Sequence, residues 1–235
     1  MTDIQIGGAK RARRGYSFDE VAIAPSRRTR DPQAVSTTWT IDAYRFDTPL
    51  LAAPMDSVVS PASAVALSRL GLLAVLNLEG LWGRYEDPEP LLEEIAGLAP
   101  DVVTPRMQEL YSARPVDAGL VTARIAEMKA AGITVAVAAS PQGTTSLAPL
   151  AAQAGADIVV IRGTTVSAEH VSTDGVPLNL KQFIHELDVP VIVGGCATYQ
   201  AALHLMRTGA AGVLVGFGGG AAHTTRRTLG IHAPM

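Results

Sequence analysis

The 235-residue sequence contains a single cysteine, Cys196. One thiol cannot close an intramolecular disulfide or build a Cys-rich zinc site, and such usage fits a reducing, cytoplasmic compartment. Charge is also sparse: 17% of residues are charged and the formal net charge is -3. The Lys and Arg excess of a nucleic-acid-binding protein is therefore missing. Aromatic residues make up 5%, and none are interleaved with a basic stretch. No apolar run reaches the roughly 18 residues that suggest a membrane span. Residues 1–5 lack the basic stretch leading into an apolar one that marks a secretory signal. Neither nucleic acid nor membrane is an expected partner. Low charge beside 48% hydrophobic residues also excludes intrinsic disorder, and this length can bury a proper core.

Residues 1–48 read as an N-terminal arm that packs across one end of a domain. Its basic residues are Lys10, Arg11, Arg13, Arg14, Arg27, Arg28 and Arg30, with short apolar runs at 21–23 and 39–41. From Pro49 to residue 235 the texture changes to short apolar runs alternating with Ala-rich helical patterns. The runs at 49–53, 72–76, 133–137, 158–161, 189–193 and 212–215 are continuously apolar, as parallel strands covered on both faces are. Helical patterns fall at 63–70, 120–131, 147–154, 180–187 and 199–207. Gly71, Gly132, Gly155 and Gly209 each stop a helix just before a strand, the place for a left-handed residue. The result is a serial βα chain, either a (β/α)8 barrel or a doubly wound open sheet. Residues 79–117 depart from this rhythm. They hold Trp82, Tyr85, an acidic run and five prolines, and read as an elaborated connection with a helix begun at Pro90, whose acidic residues suit its positive end.

In parallel βα folds, ligands meet the loops after the strands. Those loops carry Ala53 and Met55; Arg162, Gly163 and Thr164; Gly195 and Cys196; and, after the last strand, residues 216–226. The last loop has four glycines in five residues, then His223, Thr224, Thr225 and Arg226. Such a loop offers backbone N–H groups to phosphate or carbonyls to a cation. It is neither a Walker A loop nor a strict G-x-G-x-x-G. His185 and His204 lie in helical patterns, His170 and His232 in loops, and no H-x-x-x-H pair suggests a metal site.

Four segments together resemble the IMP dehydrogenase and GMP reductase family of (β/α)8 TIM barrels. They are YSFDEVAIAP at 16–25, PLLAAPMDSV at 49–58, DVPVIVGGCAT at 188–198 and VGFGGGAAHTTR at 215–226. The last is similar to the loop that holds the family's catalytic cysteine. The resemblance implies NAD-dependent oxidation of IMP to XMP in purine nucleotide (GMP) biosynthesis, with K⁺ as a monovalent cation and a homotetramer as the assembly. It places His223 and Thr225 at catalytic positions, and Met55, Ala53, Gly195, Cys196 and Ala221 against the substrate. Arg162, Gly163 and Thr164 fall on the NAD side, and the carbonyls of Gly218, Gly220 and His223 at the cation. Four positions depart from the pattern. His223 replaces the nucleophilic Cys, Ala221 a phosphate-binding Ser, Cys196 an Asn, and Arg162 an Asp.

The connection at 79–117 leaves no room for the family's paired CBS domains. Six strands also fall short of the barrel's eight, so the expectation is a C-terminally truncated barrel of about six βα units. Two other readings accompany this one. The first is a catalytically silent nucleotide-binding regulatory paralogue, because imidazole is a poorer nucleophile than thiolate. The second is an FMN-dependent nitronate monooxygenase-like barrel, which residues 53–76 and 154–163 with His170 also resemble.

Overall fold

The computed structural model describes residues 4–8, 10–12, 14–24, 27–163, 166–168, 178–220 and 223–233. Near the N-terminus, β1 (Ile4–Ile6) pairs antiparallel with β2 (Lys10–Ala12). A second hairpin joins β3 (Trp39–Ile41) to β4 (Tyr44–Phe46). Asp42 makes its turn at φ 50°, a left-handed conformation that a short polar side chain tolerates. Inside this hairpin the Trp39 and Phe46 rings lie 4.9 Å apart.

The apolar runs of the sequence become one parallel sheet. Its strands are β5 (Leu51–Ala52), β6 (Leu73–Asn77), β7 (Ala136–Ala139), β8 (Ile158–Arg162), β9 (Val191–Cys196) and β10 (Gly212–Val215). They lie side by side in strict chain order. That order separates the two architectures left open above, because a doubly wound sheet reverses direction at a switch point and a barrel wall does not. The protein is a partial (β/α)8 barrel, with six strands in its wall among the described residues.

Helices cover the outside of this wall: α1 (Pro61–Arg69) follows β5, and α2 (Glu89–Ala96), α3 (Pro100–Ala113) and α4 (Ala118–Ala130) follow β6. Then come α5 (Thr144–Gln153), α6 (Leu180–Glu186), α7 (Tyr199–Met206) and the short α8 (Thr225–Leu229). Side chains of Ser60, Asp117, Asn179 and Thr198 accept N–H bonds at the starts of α1, α4, α6 and α7, satisfying donors that a helix leaves free. Gly71, Gly132, Gly155 and Gly209 all take positive φ, as expected of helix-stopping glycines. Pro105 stands inside α3. The many prolines of this connection hide α3 from a sequence reading, which finds one helix where there are two.

Strand alternation sorts the apolar residues into two cores. Ala74, Leu76, Val137, Ala139, Val159, Ile161, Val191 and Val193 face the helices. Leu73, Val75, Ala136, Ala138, Ile158, Val160 and Ile192 face inward, where Ile41 and Phe46 of the β3–β4 hairpin pack on them. These inner contacts include the first residues of β6, β7 and β8, so the hairpin plugs the N-terminal end of the wall. Tyr44 fixes it there by donating to Asp157. The strands' C-terminal ends stay open for a site. No helix among the described residues is long and apolar enough to cross a membrane.

Candidate functional site

A pocket of about 420 Å³ opens at the C-terminal ends of β8, β9 and β10, lined by Arg162, Gly163, Gly195, Leu214, Gly216, Phe217, Gly218, His223 and Thr225. Its walls are mostly backbone. A Cβ on Gly195 would stand 2.5 Å from the Gly216 carbonyl oxygen, so glycine alone lets the β9 and β10 loops approach. Gly163 N–H donates to Gly194 O at 3.0 Å and Gly195 N–H donates back to Gly163 O at 3.1 Å, tying the β8 and β9 ends together. Ala233 N–H donates to Phe217 O, holding residues 231–233 against the glycine loop. Among the described residues of the lining, Arg162 is the one permanent cation and no carboxylate accompanies it. Such a wall suits an anionic ligand. The Arg162 guanidinium also reaches the Pro54 carbonyl at 3.4 Å, spanning from β8 to the loop after β5.

Six of the residues singled out in the sequence meet here: Arg162, Gly163, Gly195, Gly218, His223 and Thr225. His223 is exposed, and its Nδ1 lies 2.6 Å from where a Cβ on Gly220 would stand. Gly220 thus lets the ring fold back over the loop. Thr225 opens α8 beneath it. Ala53 and Met55 sit in a turn after β5, in which Met55 N–H donates to Ala53 O, and neither lines the pocket. Thr164 and Ala221, like His170, lie outside the described residues.

One expectation needs correction. Cys196 does not face the pocket: it is buried in the outer core with the helix-facing strand residues. The cause is a register shift at Leu214/Val215, where Leu214 pairs with Gly194 but Val215 pairs with Cys196. The extra residue reverses the alternation of β9, and the side chain turns outward. Burial pushes the thiol pKa up, so this thiol is neither placed nor poised for attack in the pocket. The Gly218 carbonyl shares a 3.0 Å hydrogen bond with His232 Nδ1, and the Gly220 carbonyl accepts from His223 N–H at 3.0 Å. Two of the three carbonyls assigned to K⁺ thus each hold one hydrogen bond, which leaves each a second lone pair.

Leu214, Gly216 and Phe217 line the pocket without having been singled out. Strand alternation could have found Leu214, which shares the inward face of β10 with Gly212. Gly216 and Phe217 lie in the glycine-rich loop itself.

A family model described as "IMP dehydrogenase / GMP reductase domain" matches residues 15–235. An uncharacterized oxidoreductase from Mycolicibacterium smegmatis is 48% identical, over 99% of this chain and 63% of its own length. One from Mycobacterium tuberculosis is 49% identical over the same shares. The crystal structure of an IMP dehydrogenase/GMP reductase-like protein from Corynebacterium glutamicum superposes with a TM-score of 0.91 at 43% identity, covering 99% of this chain and 62% of that one. The chain thus spans a little under two thirds of the length of these relatives.

Proposed function

The chain belongs to the IMP dehydrogenase/GMP reductase family, and on that premise we propose that the strand-end pocket serves an oxidoreductase acting on a purine nucleotide, with NAD-dependent oxidation of IMP to XMP as its reaction. Family membership runs through the glycine-rich loop and displaces the flavin-dependent alternative. The observation that carries the reading is the pocket's make-up: glycine backbone on several sides and, among the described residues, one cationic side chain and no carboxylate. A flat base fits where the Cβ atoms are missing, and phosphates fit beside Arg162.

The reaction consumes IMP, water and NAD⁺ and yields XMP, NADH and a proton. A nucleophile adds to C2 of the base, the C2 hydride departs, and water releases the oxidised product. NAD, when bound, accepts that hydride. Arg162 pairs with a cofactor phosphate, and Gly163 and Gly195 let the ligands approach the backbone. The His223 imidazole stands at the nucleophile's position in the loop, with Thr225 beside it against the base. No step is routed through a monovalent cation.

One observation favours a second reading: the sole thiol is buried away from the pocket. A nucleotide-binding protein without turnover would have the same pocket. Calorimetric titration of the chain with IMP, followed by addition of NAD, separates the two. IMP is expected to bind saturably, and Arg162→Ala to weaken NAD binding by about tenfold. Growth of the NADH absorbance band, faster by about tenfold in His223→Cys, marks the enzyme. Binding with no NADH in either form marks the silent protein. Failure of IMP, XMP and GMP all to bind overturns both.

A further inference from the structure

His232 has no part in the reading above, yet the fold brings it against the strand-end pocket. Gly230 ends α8 at φ 68°, a left-handed turn that glycine takes without strain. The chain then returns as a short strap, residues 231–233, along Phe217 and Gly218 of the glycine-rich loop. Ala233 bridges Phe217 antiparallel, its N–H donating to Phe217 O at 3.2 Å. His232 Nδ1 lies 3.0 Å from Gly218 O, 14 positions earlier in the chain. Phe217 and Gly218 both line the pocket, and His232 itself does not.

The chemistry of the His232 contact fixes its tautomer. A carbonyl oxygen only accepts, so Nδ1 carries the proton and the neutral ring keeps its lone pair on Nε2. The strap matters because little else holds this stretch of loop. Gly216 N–H donates to Cys196 O on one side, and Gly220 O accepts from His223 N–H on the other. Between them, residues 217–219 have the two strap hydrogen bonds and no other among the described residues. Gly216 and Gly218 take φ 90° and 70°, and Gly219 and Gly220 follow. Such backbone reaches many conformations when nothing ties it. Any residue but proline could supply the Ala233 N–H, whereas the bond to Gly218 depends on the His232 side chain.

A pocket walled by glycine backbone receives a ligand only while that backbone holds its place. Its apparent affinity falls in proportion to the fraction of molecules in the competent conformation. We propose that His232 is a positioning residue of the strand-end pocket: its Nδ1–H holds the Gly218 carbonyl, and with it the glycine wall, in the conformation that receives the nucleotide. This role rests on the reading of that pocket as a purine-nucleotide site, and it is exerted through Gly218 without contact to the ligand.

Calorimetric titration with IMP of the 235-residue chain and of two variants tests it. His232→Leu keeps apolar bulk but loses the donor, so IMP should bind about tenfold more weakly, as when a tenth of the molecules stay competent. His232→Asn carries a side-chain N–H close to the place of Nδ1 and should bind within about threefold of the parent. Urea midpoints of all three proteins separate folding from binding. In the parent, nitrogen–proton NMR correlation at mildly alkaline pH should show the neutral His232 ring protonated at Nδ1. The proposal is overturned if His232→Leu lowers the urea midpoint but binds IMP like the parent, if His232→Asn binds as weakly as His232→Leu, or if Nε2 carries the proton. A parent that binds none of IMP, XMP and GMP defeats the nucleotide reading and this role with it, whereas a binding parent with an equally tight His232→Leu variant defeats this role alone.

Discussion

Tyr111 shows how one residue ties distant segments together. Its hydroxyl donates to Asp56 Oδ2, anchoring the loop after β5 to the end of α3, while the Arg84 guanidinium lies 5.5 Å from the ring centroid. Burial first, then the hydrogen bond and charge of Asp56, push the Tyr111 pKa well above its ordinary 10.0, against the opposing effect of Arg84. Tyr111→Phe leaves Asp56 Oδ2 with the Leu81 N–H alone, and is expected to cost about 1–3 kcal/mol in urea unfolding at neutral pH. The sign with pH follows from the raised value. The folded state keeps the phenol proton longer than the unfolded state, so this stabilisation is complete below pH 10 and declines as pH rises above it. The alkaline loss of stability should be shallower in Tyr111→Phe, and an equally steep loss in both proteins would refute the assignment. The sequence makes Asp56 visible as a loop residue but not as half of this pair, because 55 positions separate the partners. Cys196 is the same lesson at a candidate site residue: two strand letters cannot reveal the register shift that turns it outward.

At the scale of elements, the β3–β4 hairpin is the plug of the inner core. Phe46 is buried against residues of the inner sheet face, and Phe46→Ala should destabilise the chain by about 3–5 kcal/mol. Solvent-facing Arg45→Ala on the same strand should cost under about 0.5 kcal/mol. Denaturant midpoints of the two variants test the plug directly, and equal midpoints would contradict it. The parallel strands and their flanking helices were legible because burial on both faces leaves a continuous apolar run, and because positive-φ glycines stop the helices. α3 was not, since a helix carrying Pro105 contradicts local propensity and is held by tertiary contacts. Among these is the pairing of Arg106 with Glu94 across to α2.

For the whole molecule, chain-order strand pairing leaves β5 and β10 at the two edges of the described sheet. Leu50 beside β5 and Val215 in β10 are 59% and 54% exposed. Unpaired edges with apolar side chains invite pairing with another copy. The 235-residue chain should therefore self-associate as its concentration rises, and Leu50→Lys with Val215→Lys should suppress this in sedimentation velocity. Association that the double variant leaves intact would place the contact elsewhere.

The sequence by itself determined the strands of the parallel sheet, most of the flanking helices, the helix-stopping glycines and the glycine-rich loop, because each follows from periodicity and backbone freedom within a few residues. Tertiary structure alone decided that the strands wind as a barrel wall, that a hairpin seals one end, and that six of the singled-out residues share a pocket. It alone turned Cys196 away from that pocket. These outcomes depend on pairing register and on contacts between residues far apart in the chain, which no local pattern of side chains encodes.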